Sequence, residues 1–149
     1  MAIAVNTGET MEKTDAARKV RATSERDIAI AILVTLAQDT RFHEFSLMGF
    51  YDEDAEAIQA MADRLGLPSH SKPFLNKLRK VTRTLVQYGV LSARMRGTHK
   101  EYLGEPAKQT NYRLEAGRAH RMKGKNEHYH EPEWEAGFIL RHAYPKPEE

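Results

Sequence analysis

Residues 72 to 97, KPFLNKLRKVTRTLVQYGVLSARMRG, decide the fold because they combine a helical period, a stop signal and a change of period. Apolar residues first recur every three or four positions, which predicts an amphipathic helix. Ser71 can cap that helix, and Pro73 is tolerated in its first turn. Gly89 ends the helical pattern, and from Val90 onward apolar and polar residues alternate as in a strand. The stretch therefore predicts a helix that leads directly into a β-strand.

The same stretch is strongly basic, although the chain of 149 residues has a formal net charge of only +2. Residues 64 to 100 contain nine lysines and arginines and no acidic residue, whereas residues 1 to 63 sum to a charge of −6. Segregation of charge on this scale is typical of a protein that presents a local footprint to a polyanion. The acidic residues in the rest of the chain keep the net charge low, which limits nonspecific binding of other anions.

Helical geometry, at about 100° per residue, divides the predicted helix into two faces. One face is apolar and consists of Phe74, Leu78, Thr82 and Leu85, flanked by Leu75, Val81 and Val86. The opposite face is polar and consists of Asn76, Lys80, Arg83 and Gln87, flanked by Lys72, Lys77, Arg79 and Thr84. A merely solvated face usually mixes Glu with Lys for i,i+4 pairing, so a face without acidic residues favours a binding function.

The polar face has the side chains that recognition of duplex DNA requires. Lys and Arg bind phosphates without regard to sequence, whereas Asn and Gln can bond bidentately to adenine, and Arg to guanine, in the major groove. A helix of this length fits that groove with its N-terminal half inward. The candidate contacts on the helix are Lys72, Asn76, Lys77, Lys80 and Arg83, together with Arg79, Thr84 and Gln87.

Two further helices are predicted upstream of the basic one. Ser24 can cap the first, whose apolar residues at 28–37 should be buried on more than one side. The second should begin in the acidic cluster at 52–56 and end at Gly66. Its apolar face is expected to comprise Ala55, Ile58, Ala62 and Leu65. A short strand is expected between the two helices, at 45–47.

Downstream of the basic helix, TNYRL at residues 110–114 predicts a strand that returns along the first, so that the two form a β-hairpin with a long loop. Over residues 24 to about 120 the chain resembles the winged-helix family of DNA-binding domains. The resemblance is carried by LVQYGVL, which leads from helix to strand, and by NYRLEAGRA, which leads out of the hairpin. It implies an α+β winged helix-turn-helix, with a three-helix core, a C-terminal β-hairpin wing and extended N- and C-terminal tails.

The resemblance also implies that the wing contacts DNA along its phosphates or in the minor groove. The candidate residues there are Arg94, Arg96 and Lys100, with His99 and Lys108 beside them. We expect a winged-helix domain at 23–125, preceded by a flexible arm or a frayed helix at 1–22 and followed by a tail at 126–149. A short helix is also expected within residues 115–126.

The expected partner is double-stranded DNA, and the expected role is that of a small transcriptional regulator. Symmetric operators favour a homodimer, whose interface would be the first helix, the N-terminal arm or the tail. Trp134 and Phe138 lie one helical turn apart in the tail, so this segment either dimerises or folds back on its own domain. A winged helix that binds RNA or a protein partner within a larger assembly is the alternative.

Other classes of function are less well supported by the sequence. The chain lacks a Gly-rich phosphate loop, a nucleophile elbow and an HExxH motif, so we expect that it is not an enzyme. Residues of the types that bind zinc or nickel occur near the C-terminus, namely His120, Glu127, His128, His130, Glu131 and His142. A polar segment of this kind without cysteine is more simply solvated, and we expect no metal and no other cofactor.

The expected setting is the cytoplasm. No cysteine occurs, which excludes disulfides and thiolate metal sites. The N-terminus lacks the unbroken apolar core of a signal peptide, and the longest strongly apolar run, at 28–37, is too short to cross a membrane.

Overall fold

The computed structural model describes residues 7–39, 41–47, 52–69, 71–102, 104–115, 121–122, 130–141 and 143–144, except for the side chains at 7–14, 52–53, 98–102, 105–107 and 139. The helices within these residues are α1 (Thr7–Ala22), α2 (Glu25–Gln38), α3 (Asp52–Leu65), α4 (Lys72–Gln87) and α5 (Pro132–Leu140). The strands are β1 (Phe45–Ser46), β2 (Leu91–Tyr102) and β3 (Glu105–Leu114). They form an antiparallel sheet in the order β1-β3-β2. The expected α+β class is confirmed.

Helix α2 lies at the centre of the fold and packs against α3, α4 and α5. The Ser24 hydroxyl accepts a hydrogen bond from the main-chain N–H of Asp27 at 3.0 Å, as expected for an N-cap. Ile28, Ile32 and Leu33 are fully buried, together with most of the other apolar residues of the helix. Burial on several sides, predicted from the width of the apolar stripe, is therefore confirmed.

Helix α4 begins and ends where the sequence signals predict. The Ser71 hydroxyl accepts a hydrogen bond from the N–H of Phe74 at 3.3 Å, which caps the first turn. Gly89 has a φ of 71°, and the N–H of Val90 then bonds to the carbonyl of Leu85 at 2.9 Å. This pattern satisfies the last carbonyls of the helix and turns the chain into β2. The predicted apolar face is confirmed, because Phe74, Leu78, Thr82 and Leu85 are fully buried.

The inward face of α3 differs from the predicted one. Ala55 is exposed, whereas Ala57 and Met61 are fully buried beside Ile58 and Ala62. The helix packs against both α2 and β1, so its inward direction is rotated towards Ala57 and Met61. A short connection then joins the end of α3 at Leu65 to the start of α4 at Lys72.

The hairpin of β2 and β3 is longer and its tip tighter than predicted. A long loop was expected between the two strands, but pairing continues to Tyr102 opposite Glu105. The register shifts between Gly97 and Glu101, as at a β-bulge, and the pairing of β2 with β3 resumes at Glu101. Gly104, with a φ of 81°, provides the left-handed conformation that the tight tip requires.

Both ends of the chain contribute to the single core. Thr7–Ala22, within the segment expected to be a flexible arm or a frayed helix, is helical, and Val20 in its last turn is buried in the core cluster. At the other end, α5 packs on α2 through the fully buried Ala136 and Leu140. The described part of the tail thus packs on its own domain. The short helix expected within 115–126 falls largely outside the described residues.

A buried carboxylate fixes the start of α5. Glu135 is only 2% exposed, and it accepts hydrogen bonds from Arg121 at 2.7 Å and from His130 at 2.5 Å. Burial raises the pKa of Glu135, but the bonds from His130 and Arg121 outweigh this effect and hold it below its ordinary value. None of the described helices is long and apolar enough to cross a membrane.

Candidate nucleic-acid interface

The polar face of α4 lies in solvent, as predicted. Six of its eight candidate residues are exposed, namely Lys72, Asn76, Arg79, Lys80, Arg83 and Gln87. The other two, Lys77 and Thr84, are half-buried along one edge of the helix. The structure therefore separates the candidates into an outward face and an edge that meets the N-terminal part of the chain.

Lys77 is committed to the structure of the domain itself. Its ammonium group donates hydrogen bonds to the carbonyls of Val20, at 2.9 Å, and of Thr23. These carbonyls lie in the last turn of α1 and just beyond it, where a helix lacks internal donors and favours a cation. Lys77 therefore holds α1 against α4, and its predicted role as a DNA contact does not fit this arrangement. Helical spacing alone places it beside the binding face and cannot reveal this bond.

Two other residues on this side of α4 have an exposed ion pair and a local hydrogen bond, respectively. Lys80 lies 3.4 Å from the carboxylate of Glu25, but its side chain is 72% exposed. Exposed pairs of this kind contribute about 0–1 kcal/mol, so an incoming phosphate can compete for Lys80. Thr84 donates a hydrogen bond from its hydroxyl to the carbonyl of Lys80 at 3.2 Å, within the same helix.

The opposite edge of α4 borders a basic groove between the helix and the sheet, with a volume of about 330 Å³. Arg79 and Arg83 line it from α4, and Lys108 lines it from β3. The remaining lining residues are Leu47, Val86, Ala93, Gln109, Thr110 and Tyr112. Three exposed cations thus border one concavity with an apolar floor, which favours an anion with several oxygens. We call this feature the α4–β3 groove.

The two wing arginines do not face the α4–β3 groove. Ala93 pairs with Tyr112 and Met95 with Thr110, and three of these four residues line the groove. Since side chains alternate across a strand, Arg94 and Arg96 point to the other side of the sheet. On that side Arg96 lies 3.4 Å from the carboxylate of Glu44. Arg94 and Arg96, expected as wing contacts, thus lie on the side of the sheet away from the α4–β3 groove.

The remaining wing candidates have different outcomes. Lys100 belongs to β2, but its side chain lies outside the description, as does that of His99. Lys108, which the sequence identifies only as a neighbour of the wing candidates, is the strand residue that borders the α4–β3 groove. The sequence predicted the returning strand only from Thr110, so Lys108 fell in the expected loop. Alternation along the longer strand of the structure places Lys108, Thr110 and Tyr112 on one face.

A buried polar cluster lies on the face of β3 opposite to Lys108. The amide of Gln109 donates to the side-chain oxygen of Asn111 at 2.8 Å and to the carboxylate of Asp54 at 3.4 Å. Asp54 also accepts a hydrogen bond from the main-chain N–H of Ser46 at 3.1 Å. All four residues are buried, so the cluster joins the first turn of α3 to β1 and β3. It fixes the strand that carries Lys108.

A larger concavity, of about 790 Å³, lies between α1, α2, the end of α3 and the start of α5. Its floor includes Ile30, Val34 and Leu67. Its charged rim mixes both signs, with Lys19, Asp27, Arg64 and Glu133. Mixed charge is not complementary to a polyanion, and the α4–β3 groove is therefore the better candidate despite its smaller size.

Within the part of the chain that the structure describes, no group of three or more histidine, aspartate or glutamate side chains is arranged to hold a metal ion. Four of the metal-ligand types noted near the C-terminus, at positions 120, 127, 128 and 142, fall outside the described residues.

Comparison of this chain with models of protein families, with curated proteins and with solved structures gave no match.

Proposed function

We propose that this protein is a winged helix-turn-helix that binds double-stranded DNA sequence-specifically, acts as a small transcriptional regulator and carries out no catalysis. The observation that carries the proposal is the α4–β3 groove beside the exposed polar face of α4, where Arg79, Arg83 and Lys108 border one concavity. Their positive charge and the neighbouring amides suit a ligand that is both anionic and rich in hydrogen-bonding groups.

The arrangement of elements supports this interpretation. Helices α2, α3 and α4 form a bundle around the core, and the hairpin of β2 and β3 follows α4 directly. Strand β1, between α2 and α3, completes the sheet beside β3. This is the order that the resemblance to winged-helix domains implies, with α4 as the recognition helix and the hairpin as the wing.

The side chains divide naturally between phosphate and base contacts. Arg79 and Lys108, on the two walls of the groove, are suited to hold one phosphate between helix and sheet. Asn76 and Gln87 lie on the outward face of α4, where an amide can bond to adenine in the major groove. Arg83 lies on that face and at the groove wall, and it can serve either role.

The proposal is tested first by selection from randomised duplex DNA, followed by footprinting of the selected sequence. A sequence-specific regulator yields a preferred duplex whose binding survives moderate salt. Selection of no preferred duplex, with equal binding to RNA or to any anion, would contradict the proposal and favour the scaffold alternative.

Variants then locate the interface on the selected duplex. Arg83→Ala should weaken binding by about 1–3 kcal/mol and reduce the slope of log affinity against log salt by about 1 if a phosphate contact is lost. Arg113→Ala is the matched control, because it removes the same charge from an exposed residue of β3 on the other side of the sheet. Arg94→Ala should resemble this control. Equal losses for all three variants, measured by fluorescence anisotropy, would mean that only overall charge matters.

A further inference from the structure

The outer face of α5 exposes two large aromatic side chains. Trp134 is 59% exposed and Phe138 is 51% exposed, although the inner side of the helix is buried on α2. Residues four positions apart lie on the same side of a helix, so the two rings form one patch. Aromatic side chains clustered on a surface are typical of protein–protein contacts. Trp is among the residues that contribute most to the binding free energy of such interfaces.

The rings are held in a fixed arrangement before any partner binds. Their planes are inclined by only 9° and their centroids are 5.7 Å apart, so the two rings are stacked on each other. His130 packs edge-on against Trp134 at 4.9 Å, and the Arg141 guanidinium lies 4.6 Å from the centre of the Phe138 ring. Little side-chain freedom is therefore left to lose on association, which favours binding.

Opposite charges stand at the two ends of the same face. Glu131 precedes the helix and Arg141 follows it, and both are exposed. At about 100° per residue, both fall on the side of Trp134 and Phe138. The two charges are separated along the axis by about 15 Å at 1.5 Å per residue.

This pattern is symmetric about its own centre. Position 136 is midway between Trp134 and Phe138, and it is also midway between Glu131 and Arg141. A second α5 laid antiparallel across this point therefore brings Trp134 opposite Phe138 of the partner subunit. The same alignment brings Glu131 opposite Arg141 of the partner subunit. Such self-complementarity is what a two-fold symmetric, isologous interface requires.

We propose that the outer face of α5 is the homodimer interface of this protein, formed by antiparallel packing of α5 on α5 of a second copy. The proposal goes beyond DNA binding, because it concerns a surface that shares no residue with the α4–β3 groove. A nucleic-acid strand is a poorer occupant of this surface, since the exposed Glu131 on the same face repels phosphate. A different protein would have no reason to match the symmetry of the charges.

The expected dimer is of moderate strength. Stable complexes bury about 800 Å² on each partner, which exceeds what a face of one nine-residue helix provides. We therefore expect a dissociation constant on the order of 1–100 μM. Because antiparallel helices pack with axes about 8–10 Å apart, the exposed rings of both copies become largely buried.

The first test measures self-association of the full chain by analytical ultracentrifugation across this concentration range. Trp134 is the only tryptophan of the chain, so a shift of its emission to shorter wavelength should follow dimerisation independently. Trp134→Ala should weaken the dimer by roughly 30-fold. Tyr88→Ala, which removes an aromatic ring of comparable exposure at the end of α4, is the matched control and should leave the dimer unchanged.

The second test exploits the predicted charge register. Glu131→Arg and Arg141→Glu should each weaken the homodimer by about tenfold, because each creates two like-charged contacts. An equimolar mixture of these two variants should associate as tightly as the unmodified chain, since opposite charges then meet at both ends. The double variant carrying both changes should also regain association. Circular dichroism of each variant establishes that its helices are retained.

Three results would overturn the proposal. A monomer at every concentration tested would exclude this interface, as would a dimer that neither Trp134→Ala nor the charge reversals weaken. Failure of the mixed single variants to associate, while the unmodified chain does so, would exclude the antiparallel register. None of these measurements involves DNA, so their outcome does not depend on whether the proposed function is correct.

Discussion

Replacing Lys77 by methionine should separate stability from DNA binding on the basic helix. The Lys77 ammonium donates hydrogen bonds to the carbonyls of Val20 and Thr23 at the end of α1. Methionine retains an unbranched apolar side chain of similar length but has no donor, so both bonds are lost. We expect a less stable protein whose folded form binds DNA as tightly as before.

The magnitude follows from the number and the exposure of these bonds. A hydrogen bond from a charged group contributes about 1.5–3 kcal/mol net. Lys77 is only half-buried, so water can solvate part of the carbonyl surface that the ammonium leaves. We therefore expect the free energy of unfolding to fall by about 1–3 kcal/mol in total. For a chain of this size, a change of about 2 kcal/mol lowers the melting temperature by roughly 4–8 °C.

The assay pairs urea unfolding with fluorescence anisotropy on the selected duplex, for Lys77→Met and for Lys72→Met as its matched control. Lys72 is exposed at the first turn of α4, where a cation is slightly unfavourable to the helix. Lys72→Met should therefore preserve stability and weaken DNA binding, the reverse of Lys77→Met. Weakened binding by Lys77→Met with an unchanged free energy of unfolding would refute this reasoning and return Lys77 to the interface.

Two predictions concern other parts of the fold. The pKa of Glu135 is lowered, so its ion pairs stabilise the protein fully above the unfolded-state value of about 4.3 and are lost as pH falls through the folded-state value. Glu135→Gln should lower the free energy of unfolding at pH 7 by about 1–2 kcal/mol and flatten its dependence on pH in the acid range, as measured by urea unfolding. Gly89→Ala should lower that free energy by about 1 kcal/mol, because the φ of 71° is unfavourable to alanine although its Cβ would meet no atom. Thermal unfolding checks this, and an unchanged melting temperature would show that the turn relaxes without strain.

The acidic N-terminal part of the chain affects the basic region by direct contact. Glu25 lies beside Lys80 at one edge of α4, and Glu44 lies beside Arg96 on the far side of the sheet. These contacts partly neutralise Lys80 and Arg96, which lie away from the α4–β3 groove, whereas Arg79 and Arg83 line the groove directly. The charge segregation seen along the chain therefore becomes, after folding, a more focused positive surface than the sequence suggests.

The local features of the fold were determined by the sequence. The N-caps at Ser24 and Ser71, the stop at Gly89 and the apolar face of α4 depend on interactions within a few residues, and all are found as predicted. The exposure of the polar face of α4 follows from the same period, because a helix that buries one side must present the other.

Only the tertiary structure decided which cations lie around the same cavity. Alternation shows that Arg94 and Arg96 share a face, but which face meets α4 depends on the pairing of β2 with β3 and on the packing of the sheet. The bond from Lys77 to α1 joins residues more than fifty positions apart, and no local pattern encodes it. The docking of α5 on α2 is likewise set by a surface distant in sequence. Helical and strand periods act over a few residues, whereas the choice of partner for each face is made by burial of the whole core.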